Sequence, residues 1–443
     1  GLLLRIAVRN ATSQPIQVEQ LTPLASERGY RSLPVKRLNI GQMGWQSWSQ
    51  PHPPQPLAPN LQAVDAPCRS PFLPARWPDS ELAPSMAVLT DEAGGPSCLL
   101  GFAAGRDFNG AIEVAPARAG HRLRVWCDAE GLTVQPGATL ESEPLLIAAG
   151  EEDELLARYA GTVAERMGAR RWPRVPTGWC SWYHFFTWVT EADCLRNLDW
   201  LARRRDTLPM DVFQLDDGYQ RQVGDWLALN DKFPSGMPAL TAAIRQAGFT
   251  PGIWLAPSLL SASSRTYAEH PDWVVLDEAG RPIDVMQNWG SENYALDTTH
   301  PEAMDWLEHI VRTMCEEWGY DYLKIDFIYA AAVRGRRRNR EITGVQAYRR
   351  GLEMIRRLAG ERFILGCGAP FLSSVGLVDG MRIGEDVAPF WRREGGGPGP
   401  AMANALHSTL LHNWMHQRWW INDPDCVMVR EHDSQLSLVE VQA

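Results

Sequence analysis

The strongest constraint on this chain is an alternation that begins at Thr177. From there, strand-like runs ending near Trp182, Asp216, Leu255, Asp326, Gly366, Asp386 and Ile421 alternate with helical patterns, among them Ala192 to Arg205, Ala239 to Ala247, Pro301 to Trp318 and Val345 to Leu358. Repeated strand–helix units build a parallel sheet, either doubly wound or closed as a (β/α)8 barrel. Reactive side chains fall at the ends of several different strands, where a barrel carries its active site, and this favours the barrel. Seven strands are visible where a barrel needs eight, and residues 434–443 read as the helix after the seventh. The expectation is a chain that stops inside its own barrel, over residues 177–443.

Upstream the pattern differs. Residues 1–150 hold short, partly alternating runs such as Leu3 to Val8, Arg122 to Trp126 and Leu140 to Ile147, separated by Gly, Pro, Asn and Asp. So many short strands predict a β-sandwich. Within it the proline-rich run Pro51 to Pro59 cannot pair in a central strand and reads as an exposed loop. Residues 151–176 read as a helical linker: Glu151 to Met167 opens with four acidic residues and spaces Leu155, Leu156, Tyr159 and Val163 on one face.

Composition narrows the function. A net charge of −10 argues against nucleic acid as a partner, and no run of 18 apolar residues suggests a membrane span. The eight cysteines are scattered without zinc-ligand spacing and read as reduced thiols. With no signal-peptide pattern after Gly1, the expected location is cytoplasmic. The 19 tryptophans suit aromatic-lined clefts, and 15 of them lie at or after Trp172. The basic run Arg334 to Arg340 reads as a solvated loop or helix start.

The chemistry sits at the strand ends. In Tyr322-Leu-Lys324-Ile-Asp326-Phe327, alternation puts Lys324 and Asp326 on the inner face and Phe327 on the outer one. An ammonium beside Asp326 would lower its pKa and favour the ionised nucleophile that attack at a sugar C1 requires. In Arg382-Ile-Gly-Glu385-Asp386, the same parity makes Asp386 the better general acid and Glu385 structural. Asp216 and Asp217 suit bidentate contact with sugar hydroxyls, or equally a divalent metal. Trp182, Tyr183, Trp226, Trp254 and Trp391 mark the rim, and Cys367 and Gly368 after the fifth strand complete the candidate binding set.

At these residues the chain resembles glycoside hydrolase family 36, in particular its shorter microbial α-galactosidases. The resemblance is carried by GWCSWYHFF (178–186), FQLDDGYQ (213–220), GDWLALNDKFPSGM (224–237), GIWLAP (252–257), YLKIDFIYAAAV (322–333), MRIGEDVAPFW (381–391) and WWINDPDC (419–426), with GWQSWS (44–49) similar to the family's sandwich signature. It implies a retaining glycosidase working without metal or cofactor on a small or oligosaccharide α-galactoside. Asp326 would be the nucleophile and Asp386 the acid/base. Asp216 and Asp217 would read the galactose 4- and 6-hydroxyls, Lys324 and Arg382 would be further sugar contacts, Trp254 the apolar wall, and Trp182 and Tyr183 would face the leaving group.

Two departures follow. Related sequences usually carry Pro where Glu385 stands, and a second carboxylate there is expected to raise the pKa of Asp386. The family's barrel continues into an eighth strand and a small C-terminal β domain, so instability or inactivity is expected of a chain without them. Alternative readings are galactosyl transfer by the same double displacement, a metal-dependent hydrolase using Asp216, Asp217, Asp326 and Glu385, and a catalytically silent sugar-binding protein.

Overall fold

The computed structural model describes residues 1–26, 38–57, 76–77, 79–117, 120–428, 433–437 and 439. Its first part packs a six-stranded antiparallel sheet against a four-stranded one. The long strand Gly120–Val134 pairs with both Ile16–Ser26 and Asn109–Ala117 and turns Val125 and Cys127 into the core. The prolines of the run at 51–59 do not exclude pairing. His52–Pro56 forms the last strand of the six-stranded sheet, beside Leu38–Gln42. An edge strand needs N–H donors on one side only, which is how it tolerates proline.

The helix Glu152–Met167 carries three acids in its first turn and ends on Gly168 in the left-handed conformation. It buries Leu155, Tyr159 and Val163 against the sandwich, and the Tyr159 hydroxyl donates to the Phe102 carbonyl at 2.9 Å. Its other side receives the Trp419 indole N–H at the Ala160 carbonyl. The helix is thus shared between the sandwich and the last strand of the second part.

That second part is a parallel sheet of seven strands in sequential order. The strands are Gly178–Cys180, Val212–Leu215, Thr250–Leu255, Tyr322–Ile325, Phe363–Gly366, Gly380–Arg382 and Ile421–Asp423. In-register parallel pairing sets Trp254 beside Lys324 on the inner face, while Phe213, Leu215, Ile253, Leu255, Leu323 and Ile325 are buried in the core. The fold is a curled, barrel-type sheet joined to a sandwich, as expected. Among the described residues the first and seventh strands each pair on one side only. The predicted helix at 434–443 falls largely outside the described residues. No described helix is long and apolar enough to cross a membrane.

Two strand ends fall earlier than expected. The first stops at Cys180, and Trp182 opens a short helix, Trp182–Phe185. The sixth stops at Arg382, so Ile383 to Asp386 is an irregular segment, and strand parity is not what brings Arg382 and Asp386 together.

The basic run is not solvated throughout. Arg337 is buried and donates to the Ala331 and Val333 carbonyls, while Arg334 reaches Glu19 and Asp128 of the sandwich. The adjoining helix Gly344–Ala359 presents its N-terminus to the same surface. Glu130 accepts from the Gly344 N–H, and the Thr343 hydroxyl and Gln346 amide donate to Asp107. Acidic side chains facing a helix N-terminus are electrostatically favoured, which helps to set the sandwich against the barrel.

Candidate active site

Asp216 and Asp326 directly follow the second and fourth strands, at the C-terminal mouth of the sheet. Asp326 is buried, and both its oxygens are engaged: Oδ2 accepts the Trp254 indole N–H at 2.9 Å and Oδ1 the Phe327 amide at 2.8 Å. Burial pushes its pKa up, against the opposing influence of Lys324 and these donors. The expected lowering by Lys324 therefore does not prevail. Burial outweighs it, while Lys324 hydrogen-bonds Asp216 Oδ2 at 2.9 Å. Burial would discharge Lys324, but Asp216 more than offsets it and holds the ammonium protonated.

Asp216 also accepts from the Gln214 amide at 2.6 Å and from the Cys180 thiol. Asp217 accepts from the Gln220 amide at 2.6 Å and the Trp289 indole at 2.7 Å, and burial raises its pKa. A lysine, two amides, a thiol and an indole surround this carboxylate pair, a donor set suited to fixing acceptors for hydroxyl groups.

Asp386 lies deep in the fold yet keeps 35% of its side chain accessible, so a substrate can reach it. Arg382 donates to its Oδ1 at 3.0 Å and the Trp182 indole to its Oδ2 at 3.3 Å. Burial favours the neutral acid, but Arg382 and Lys324 outweigh it and hold Asp386 below the usual carboxylate range. The expected rise from Glu385 is thus not found. Glu385 points away and accepts from the Gln50 amide and the Gly399 backbone, tying together two loops. The Asp386 charge also raises the affinity of Asp326 for a proton.

Aromatic rings enclose these groups. Trp254 contacts Trp226 at 5.7 Å and Trp289 at 6.4 Å, and Trp289 contacts Phe327 at 5.4 Å. Phe327 has φ +52°, which breaks the strand alternation and swings its ring to this cluster instead of the outer face. Trp226, fully buried behind Trp254, is a support for that wall. Trp391 lies half-buried on the loop beyond the sixth strand.

Cys367 is buried with its sulfur 3.9 Å from Arg382 and donates to Asp326. Gly368 has φ +50°, and a Cβ there would come within 2.9 Å of the Trp48 ring and 3.0 Å of the Phe327 backbone. Only glycine fits that crossing.

Three contributors escaped the sequence reading. Trp48 comes from the sandwich: the GWQSWS loop pairs with the segment after the fifth strand through Ser47 and Ala369, and the Trp48 ring meets Phe327 at 4.9 Å. Its signal was the motif itself, whose role was not assigned. Trp289 sits at a tight turn between Asp284–Asn288 and Ser291–Ala295, where Trp289 and Gly290 both have positive φ. Asp425, in WWINDPDC, is buried against Arg382 at 3.1 Å and accepts the Tyr183 hydroxyl.

A parallel barrel-type sheet with paired carboxylates, a lysine and an aromatic enclosure at its mouth defines a glycosidase-class site. Comparison with known proteins agrees. Residues 178–366 match the Melibiase family. The chain is 33% identical to the α-galactosidase TtGalA from Thermus thermophilus, solved in complex with p-nitrophenyl α-D-galactopyranoside, with a TM-score of 0.77 over 100% of this chain and 88% of that one. It is 30% identical over 162 residues to the A type blood α-D-galactosamine galactosaminidase of Flavonifractor plautii, covering 34% of this chain and 14% of that protein. It is 27% identical over 133 residues to the α-galactosidase AgaA of Geobacillus stearothermophilus, covering 28% and 18%. The matched segments thus span less than a fifth of these two curated relatives. The chain belongs to the α-galactosidases of glycoside hydrolase family 36.

Proposed function

We propose that this site releases terminal α-linked galactose from α-galactosides by double displacement. Asp326 attacks C1 from the face opposite the leaving group while Asp386 gives its proton to the departing oxygen. A β-galactosyl-enzyme results. Asp386, now ionised, takes a proton from water as that water attacks C1, and α-galactose and free Asp326 are regenerated.

The observation that carries this reading is the unlike setting of the two carboxylates. Asp326 is buried and fixed by the Trp254 indole and the Phe327 amide, whereas Asp386 keeps 35% of its side chain accessible beside the Trp182 indole, where a departing oxygen and then water can reach it. Asp216, Asp217, Lys324 and Arg382 supply the polar contacts for the galactosyl hydroxyls, and Trp254, Trp289 and Trp48 supply the apolar enclosure. TtGalA has also been solved in complex with stachyose, which supports an oligosaccharide as the natural substrate.

A panel of p-nitrophenyl α-glycosides tests the assignment. The galactoside should be turned over on the order of 10⁴-fold faster than the glucoside, because inverting one hydroxyl removes its hydrogen bond to a buried carboxylate such as Asp217. Comparable kcat/KM on both sugars would overturn the reading, and a preference for the α-galactosaminide would redirect it toward the activity named for the Flavonifractor relative.

A further inference from the structure

One guanidinium nitrogen of Arg382 lies 3.0 Å from Asp386 Oδ1 and 3.1 Å from Asp425 Oδ2. Arg382 is 1% exposed, so water does not dilute this sharing. The neighbouring chain is interleaved in the same way. Trp182 donates to Asp386 while Tyr183, the next residue, donates to Asp425. Val387, next to Asp386, donates its amide to Asp425 Oδ2 at 2.8 Å. Asp425 adopts φ +82° and is braced by its own N–H bonding Asp423. A non-glycine residue held in that region at a site is a constraint the surrounding structure maintains.

We propose that Asp425 is a positioning residue for the acid's proton: by sharing Arg382 with Asp386, it prevents that cation from pairing with Asp386 alone and so keeps one proton on the carboxylate pair when substrate arrives. The proposal rests on Asp386 being the acid/base. A general acid locked to an undivided arginine would be held ionised and unable to protonate anything. Two carboxylates on one cation instead titrate as a pair and hold one proton between them.

The groups facing the pair are few. Arg382 comes from the sixth strand with Cys367 beneath it, Lys324 and Asp326 from the fourth, Trp182 and Tyr183 from the segment after the first, and Asp423 and Cys426 flank Asp425. Burial and the two neighbouring carboxylates push Asp425 up to about 7 despite Arg382. The pair as a whole therefore retains a proton toward neutrality, although Arg382 and Lys324 keep Asp386 itself low.

The test is the kcat/KM–pH profile of Asp425→Asn in the full-length enzyme. Asparagine keeps an acceptor for Tyr183 and Val387 and removes the competing charge, so Arg382 turns wholly to Asp386. The alkaline limb, which reports loss of the acid's proton, should move down by about one pH unit or more. At pH 7 that is about a tenfold loss on substrates with poor leaving groups and little loss on dinitrophenyl galactoside. Asp425→Glu, which keeps the charge, should restore the limb. An unmoved alkaline limb with equal losses on both substrates would overturn the proposal and leave a structural residue.

If Asp425→Asn does not fold, carboxyl ¹³C NMR of the wild-type protein decides. Two Asp signals titrating together support the shared proton, and two independent titrations refute it. Failure of the acid/base reading itself would show separately, as a lack of leaving-group dependence in an Asp386 variant.

Discussion

Asp326→Gly in the full-length enzyme should lower kcat on an aryl α-galactoside by on the order of 10⁴-fold or more, with protein stability little changed. On the proposed mechanism this carboxylate forms the covalent intermediate, and its loss removes the first of the two displacements. It also leaves a small space beside the Trp254 indole, which had donated to Asp326. Azide fits such a space and needs no activation. Added azide should attack C1 from the same face as Asp326, with Asp386 still protonating the leaving group, and the product should be the β-galactosyl azide. An α-linked azide would remove Asp326 from the nucleophile's role.

Asp386→Ala should separate substrates by leaving group. General acid assistance matters when the departing oxygen is a poor leaving group, so alkyl and sugar galactosides should lose about 10²- to 10⁴-fold, and dinitrophenyl galactoside far less in the first step. With the base also missing, the galactosyl-enzyme should hydrolyse slowly and accumulate. Azide should rescue that second step and give the α-linked product, opposite in configuration to the product of the Asp326 variant. Equal losses across leaving groups would show that Asp386 is not the acid.

The parts of this site that were legible in the sequence are those fixed by local pattern. Asp216 and Asp326 each directly follow a short strand, and parallel strands bring such ends to one mouth whatever the details of packing, whereas Asp386 lies four residues beyond the sixth strand. Parity correctly turned Lys324 inward. It was silent on the partner, because Asp216 lies 108 residues earlier on a strand two places away, and the distance across the mouth is set by the curl of the sheet. The pKa of Asp326 was misjudged because a charge adjacent in sequence was counted and the larger effect of burial, which packing sets, was not.

Other contributors were hidden by topology. Trp289 belongs to a hairpin inserted into the strand–helix alternation, and its Trp-Gly turn lacks the Asn-Gly or Asp-Gly signature that marks such hairpins. Trp48 arrives from the sandwich, through backbone pairing with residues more than 300 positions away. Phe327 left its expected face because a single positive φ ends the alternation. Asp425 stood in a motif that carried the family resemblance, yet only the shared Arg382 gives it a part in the chemistry. The proline-rich edge strand and the buried Arg337 make the same point, since residue type sets what a segment can tolerate and packing decides what it does.

The central claim is that Asp326 and Asp386 carry out two successive inversions at C1. It is tested most directly by proton NMR of the sugar first released from p-nitrophenyl α-galactoside, recorded before mutarotation. The account predicts that α-galactose forms first and the β anomer follows only as the free sugar equilibrates. β-Galactose as the first product would mean a single displacement by water and would contradict the assignment of Asp326 as a nucleophile.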